Sequence, residues 1–383
     1  MRRLGIAFAF DKFRYRKTVE VVAIQEYQGD LSDDACAKLR HAALEKLGFD
    51  PGKENIRDAA HALSLENPHH PVRDYLGALK WDGVARLERW LTTYLGAEDT
   101  ELNAAIGRII LIAAVRRIRF PGAKFDTIMV LEGPQGGGKA TAIKILAGEE
   151  NFSDQDILTL DHKSQMEALE GVWIYEIAEL EGLSRADTTK VKAFISRTDD
   201  RARPAYGRFI DVRPRQAVFI GTTNDDRYLR GMSGNRRFWP VKTGVIDLAA
   251  LRRDRDQLWA EAAHCEESEA SIILPEELWL VAAAEQEARL EEDPWQEKLA
   301  DIPSTYLHAS GEFVRVSTFT LINDILKIPT EKQHQQHAKR LAGIMRKLGW
   351  RRTAAAQNEG LQCKGLSARD QRRRRAAARS FLK

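Results

Sequence analysis

The run Ile128-Met-Val-Leu-Glu-Gly-Pro-Gln-Gly-Gly-Gly-Lys139 constrains the fold more than any other stretch of this chain. Ile128 to Leu131 is a short apolar run that reads as a buried strand. Gly133 to Gly138 follows as a glycine-rich turn, and Lys139 opens a helix that ends near Gly148. Strand, glycine turn, lysine and helix form a phosphate-binding arrangement. Glycines let backbone N–H groups close around phosphate oxygens, and the helix N-terminus adds partial positive charge. The expected nucleotide-binding residues are therefore Gly133, Pro134, Gln135, Gly136, Gly137, Gly138 and Lys139, with Ala140 and Thr141 at the helix start. A merely structural glycine turn is the bland alternative, and the complete spacing argues against it. One position departs from G-x-x-x-x-G-K-[ST]. The hydroxyl that follows the lysine and ligates Mg2+ is replaced by Ala140. Thr141 lies about 100° further round the helix and does not simply stand in for it.

Gly171-Val-Trp-Ile-Tyr175 reads as a second buried strand that delivers Glu176 and then Glu179. Downstream of a phosphate loop, an acidic residue at a strand end can hold Mg2+, directly or through water, as expected for Glu176. A neighbouring carboxylate can orient or deprotonate the attacking water. Two such glutamates alone would be solvated surface. With the loop upstream the pair reads as catalytic, and which member is the base stays open. Ala217-Val-Phe-Ile220 is a third strand, ending in Gly221-Thr-Thr-Asn224, whose amide can position the lytic water. Gly234-Asn-Arg-Arg-Phe-Trp-Pro240 then sets Arg236 and Arg237 ahead of an aromatic strand. Either can serve as a finger that neutralises charge in a neighbouring subunit's site. Between these strands, a helix at 188–196 precedes an arginine-rich stretch with a turn at Gly207, read as a β-hairpin. Arg203, Tyr206, Arg208, Arg213 and Arg215 are its expected DNA contacts, through phosphates and base stacking. Intersubunit salt bridges are the alternative use of these arginines.

Residues 1–99 read as a mainly helical region with one or two short strands at its start. Helices are expected from Ser32 to Gly48 and at 54–65, 71–79 and 84–96. Thr100 caps a helix running to Phe120, whose end, Arg116-Arg117-Ile118-Arg119, reads as a solvated turn complementing the helix dipole rather than a DNA contact. The ATPase core is expected over 100–265, an acidic helical connector over 266–300, and a small winged-helix module with a basic tail over 301–383. His334 and His337 lie one helical turn apart, but no third ligand accompanies them, so metal is not expected there.

The motifs taken together resemble the virulence-associated E family of phage, prophage and plasmid proteins, which belongs with superfamily 3 helicases in the AAA+ class. Those that carry the likeness are Gly133–Lys139, Trp173-Ile-Tyr-Glu-Ile-Ala-Glu179, Gly221–Asn224 and Gly234–Val241, in that order. His70-Pro-Val-Arg-Asp-Tyr-Leu76, Trp81-Asp-Gly83, Pro121–Asp126 and Arg255–Ala262 add to it. The resemblance implies an α/β fold with a RecA-like αβα core, assembled as a ring, a homo-hexamer, with ATP and Mg2+ between subunits. It implies DNA, single-stranded or forked, as the partner. It further implies that Lys139 holds phosphates, that Glu176 and Glu179 form the acidic motif, and that Asn224 is the sensor. Arg236 or Arg237 would be the finger in trans, and 203–215 the DNA-contacting hairpin. Many relatives carry an upstream primase domain. This chain begins too late to contain one, so priming is expected from a separate primase.

Composition narrows the setting. A net charge of +3 gives no global drive toward nucleic acid, so that argument rests on local clusters. Cys36, Cys265 and Cys363 are far apart, which argues for a reducing compartment and against a disulfide or zinc framework. With no leader and no apolar run long enough to span a bilayer, no membrane partner and a cytoplasmic location are expected. Two functions compete: a DNA helicase or translocase driven by ATP, and a nucleotide-dependent DNA-binding protein that scarcely hydrolyses because of Ala140. A small-molecule kinase is disfavoured, since nothing resembles an acceptor pocket.

Overall fold

The computed structural model describes residues 5–21, 29–203, 209–230, 234–291, 293–310, 313–352 and 360–364. The chain divides into two units, Met1–Leu290 and Glu291–Lys383. In the first, β1 (Ile6–Asp11) and β2 (Arg16–Val21) form an antiparallel hairpin, extended by β3 (Gly29–Asp30) beside β2 and β4 (Pro68–His69) beside β1. Ile6, Phe8 and Val19 of this sheet pack against Cys36, Leu39, Ile56 and Ala60 of α1 (Asp33–Leu47) and α2 (Lys53–Glu66). α1 starts where Ser32 Oγ accepts from the Ala35 N–H, and it stops at Gly48 with φ 72°.

α3 (Pro71–Ala78), α4 (Trp90–Leu95) and α5 (Glu101–Arg119) follow. The helix expected over 84–96 is confined to 90–95. Glu261 Oε2 takes the N–H groups of Arg86 at 2.6 Å and Leu87 at 3.0 Å, and Arg86 is clamped in two bonds to Asp82. Those amides are thus satisfied outside a helix. His70 caps α3: its Nδ1 accepts from the Arg73 N–H at 3.2 Å, which leaves Nε2–H to donate to Gln216 Oε1 at 2.6 Å. Burial pushes this imidazole's pKa down, partly opposed by the Gln216 bond. The unfolded chain therefore takes the proton first. The stability His70 contributes is complete above about pH 6.5 and declines as pH falls below it. Urea midpoints measured from pH 7.5 downward are expected to fall, with a shallower slope in His70→Gln.

The core of the unit is built from β5 (Ile128–Glu132), α6 (Lys139–Ala147), β6 (Phe152–Ser153), α7 (His162–Ala168), β7 (Ile174–Ile177), α8 (Arg185–Ile195), the hairpin β8 (Asp199–Ala202) and β9 (Asp211–Pro214), β10 (Val218–Thr223), β11 (Phe238–Lys242), α9 (Leu248–Glu267) and α10 (Trp279–Ala288). Five strands make a parallel sheet in the order β11-β5-β10-β7-β6. Side chains alternate across it. Met129, Leu131, Val218 and Ile220 join Ile106, Ile110, Ile143 and Trp259 of α5, α6 and α9 on one face. Ile128, Val130 and Phe219 join Val191, Phe194 and Ile195 of α8 on the other. Both faces are covered, which is why these strands read as continuous apolar runs. Trp173 and Trp259 stack at 4.0 Å in the first layer.

Two expected surface or connecting segments are internal. Arg117 is 1% exposed and donates to the carbonyls of Ala123, Phe125 and Ala217, its pKa pushed down to about 10 by burial and then by Arg215. Arg116 and Arg119 pair with Glu266. This cluster is a buttress rather than a solvated turn. The stretch 266–300 is split rather than a single connector: Leu274, Leu278 and Ala282 are buried in the first unit's core, and only the part from Glu291 falls in the second unit.

The second unit holds α11 (Pro294–Ala300), β12 (His308–Ser310), β13 (Phe313–Ser317), the short α12 (Thr318–Thr320), α13 (Gln335–Lys347), β14 (Arg351–Arg352) and β15 (Gly360–Lys364). Its strands form an antiparallel sheet in the order β12-β13-β15-β14. Leu299, Leu321, Leu341 and Met345 make its core. The His337 ring accepts the His334 N–H at 3.3 Å, and among the described residues no cluster suited to a metal ion is present. The basic tail from Arg369 lies outside the described residues. No described helix is long and apolar enough to cross a membrane.

Candidate functional site

β5 is the pivot of the parallel sheet. From its carboxyl end the chain crosses to β6 and β7 beyond β10, whereas β11 returns on its other side. In open α/β sheets a crevice forms outside the carboxyl ends of strands where the order reverses. The glycine loop occupies this position. Gly136 and Gly138 have φ of 75° and 86°, a backbone that other residues rarely adopt, and Gly138 leads directly into α6.

Lys139 is 7% exposed and bends back over the loop. Its Nζ donates to Gly133 O at 2.6 Å, Pro134 O at 2.9 Å and Asn224 Oδ1 at 3.1 Å. Burial lowers its pKa, opposed by the charges of Glu181 and then Glu176. Glu176 lies within β7 and is 3% exposed. Thr222 Oγ1 donates to its Oε1 at 2.7 Å, while its Oε2 is buried with no hydrogen-bond partner. Burial raises the pKa of this carboxyl. The structure thus brings together Lys139, Glu176 and Asn224. Ala140 and Thr141 are exposed on the first turn of α6.

Glu179 is not part of this cluster. It is exposed in a left-handed turn with φ 52°, and Glu181, two residues on, reaches the site instead. Glu181 Oε1 accepts from Asn224 Nδ2 at 3.1 Å. Sequence reasoning missed this residue because its position depends on the backbone at Glu179. It also missed the support behind the loop. Glu132, the last residue of β5, is 2% exposed and accepts two bonds from Arg289, at 2.8 and 2.9 Å, and one from Tyr228 at 2.9 Å. Burial works against the Arg289 charge, yet the Glu132 bonds hold its pKa above the usual value. A charge ending an apolar strand was the available signal.

Arg236 and Arg237 lie elsewhere. They precede Phe238, which pairs with Ile128 at the start of β5, whereas the glycine loop leaves its end. Four strand steps separate the two levels, about 13 Å. Arg236 is exposed, and Arg237 bonds Asp126 at 3.2 Å.

The expected DNA contacts separate. Arg203 is exposed, and Tyr206 and Arg208 lie outside the described residues. Arg213 and Arg215 need correction. Arg215 is 3% exposed, bonds both oxygens of Asp200 at 2.7 and 2.8 Å, and donates to Phe194 O. Arg213 bonds Glu170 and Asp211 and lies 4.6 Å over the Tyr15 ring. Both hold the base of the hairpin through these bonds. Near its tip, Phe209 and Ile210 are 84% and 68% exposed.

No curated protein matches the chain. Similar solved structures include the apo structure of the NrS-1 C terminal region (305–718), at 11% identity over 95% of this chain and 96% of that one, with a TM-score of 0.46. An A form apo structure of the same region gives 12% identity over 94% and 97%, with a TM-score of 0.49. A family model described as the virulence-associated protein E-like domain matches residues 76–291. That is more than half of the 383 residues, and the chain belongs to the virulence-associated protein E-like domain family.

Proposed function

We propose that the protein is a ring-forming, ATP-hydrolysing DNA helicase or translocase that serves replication of a phage, prophage or plasmid. One observation carries the nucleotide part. A buried lysine at the end of a glycine loop satisfies its ammonium with loop carbonyls and one amide, beside a buried carboxylate oxygen that has no partner. Phosphate oxygens suit that ammonium, and Glu176 Oε2 suits a Mg2+-bound water. With no group of three ligands among the described residues, Mg2+ would depend on phosphate oxygens for the rest of its shell. In hydrolysis, water oxygen bonds to the γ-phosphorus as the bond to the β,γ-bridging oxygen breaks, and the water proton passes to a site carboxylate. The motif order shared with superfamily 3 helicases supports the homo-hexamer. The distance of Arg236 and Arg237 from their own chain's loop suits a finger offered to a neighbour. DNA contact, with single-stranded or forked substrate, rests on Arg203 and the exposed Phe209 and Ile210. A separate primase would supply primers.

Ala140 favours a second reading, in which nucleotide only stabilises the protein on DNA. Steady-state ATP turnover with and without single-stranded and forked DNA separates the two. The expected result is slow turnover that DNA stimulates, and Ala140→Ser is expected to raise it about tenfold by restoring a hydroxyl ligand. Binding of ATP with no DNA-dependent turnover above a Lys139→Ala background would remove the motor reading.

A further inference from the structure

We propose that Glu181, not Glu179, is the site's second working carboxylate: a positioning residue that holds the Asn224 amide with its oxygen toward Lys139. This rests on the nucleotide-hydrolysis reading above.

The local backbone delivers it. Glu179 takes a left-handed conformation, φ 52°, and a one-turn helix over Leu180–Gly182 follows. Leu180 drops into the core at 2% exposure, against Gly221 of β10, where a Cβ would come within 2.6 Å of Leu180 Cδ1. This close packing of Leu180 on β10 turns Glu181 back over the strand tips while Glu179 points to solvent.

Hydrogen-bond chemistry then gives the cluster a direction. A carboxylate only accepts and an ammonium only donates, so an amide between them can satisfy both in one orientation alone. Asn224 Nδ2 donates to Glu181 Oε1 at 3.1 Å, its backbone N–H approaches the same oxygen at 3.4 Å, and Oδ1 accepts from Lys139 at 3.1 Å. Glu181 Oε2 is buried and has no partner. A buried carboxylate oxygen left open in this way calls for a group absent from the free chain. A water at the edge of the γ-phosphate fits it. When a triphosphate takes over the Lys139 ammonium, Asn224 Oδ1 loses that donor while Glu181 still holds the amide nitrogen, so the amide keeps its orientation and its oxygen is open to accept from the attacking water. Glu181 thereby couples occupancy of the γ-position to the amide.

The test compares Glu181→Gln with Glu179→Gln in the full chain, using ATP turnover and, separately, equilibrium binding of fluorescent non-hydrolysable ATP and ADP analogues. A glutamine in place of Glu181 can donate as well as accept, so it releases the amide's orientation and removes a negative charge beside the γ-phosphate. In Glu181→Gln, turnover is expected to fall about 100-fold, while the preference for triphosphate over diphosphate rises about fivefold or more. Glu179→Gln is expected to change neither by more than about twofold. Turnover in Glu181→Gln within about threefold of the unaltered protein would overturn the assignment. If the unaltered protein shows no turnover above Lys139→Ala, the hydrolysis reading fails by itself. The binding preference then decides: a shift in Glu181→Gln alone supports the relay, and no shift ends it.

Discussion

Arg289→Ala is expected to lower the stability of the first unit by about 3–5 kcal/mol, because it leaves a buried carboxylate without its partner. Glu132 is 2% exposed and directly precedes Gly133. Its two oxygens take the guanidinium in two bonds, with Tyr228 as a third donor. Tyr228 alone cannot compensate a full charge at that depth. The Arg289 carbonyl also accepts the Leu229 N–H at 3.0 Å, so the end of α10 is fastened to the chain that follows β10. Urea denaturation measures the loss. In Glu132→Gln/Arg289→Met, removing both charges together is expected to recover more than half of it, since much of the single variant's cost is the stranded charge. A loss below about 1 kcal/mol in Arg289→Ala would mean that water reaches Glu132 and the Glu132–Arg289 pair carries little.

How legible was this architecture? Helix ends were readable because capping is a local hydrogen-bond problem. Ser32, Gly48 and Thr100 stand at the positions their chemistry suggests. The strands Ile128–Glu132 and Val218–Thr223 were readable because a sheet buried on both faces needs uninterrupted apolar residues. Lys139, Glu176 and Asn224 could be placed together because each comes after an apolar run in the sequence, although β7 continues through Glu176 to Ile177. Glu181 could not. Its role depends on a left-handed glutamate, which no residue type announces, and on the fit of Leu180 against Gly221.

The arginines were misread for a different reason. Interleaved arginine and aromatic residues look alike whether they meet phosphate or carboxylate. In the folded chain, antiparallel pairing of β8 with β9 sets Asp200 opposite Arg213, and Asp200 takes the neighbouring Arg215. The partner was visible fifteen residues earlier, but only the hairpin register joins the two. Similarly, Arg117 lies in the last turn of a helix beside Arg116 and Arg119, which bond Glu266, and its burial is set by carbonyls on segments that the helix sequence says nothing about.

Lys139→Ala is expected to reduce ATP turnover by about 1,000-fold or more, to background, because it removes the cation placed over the glycine loop. Stability should scarcely change. The ammonium's three acceptors lie at the mouth of the loop, where water can replace it, and burial already disfavours its charge. A melting-temperature shift of less than about 2 °C is expected, within the scale of a 1 kcal/mol change for a unit of this size. Lys139→Arg should not restore turnover. A planar guanidinium is broader than an ammonium and cannot reach the same three acceptors from one point. Lys139→Ala should also free Asn224 Oδ1, yet Glu181 still holds the amide nitrogen, so the relay predicts an ordered amide without a cation. Catalysis should then be lost through the phosphates and not through collapse of the loop. Turnover that survives in Lys139→Ala, with the fold intact, would mean that the catalytic phosphate site lies somewhere other than the glycine loop.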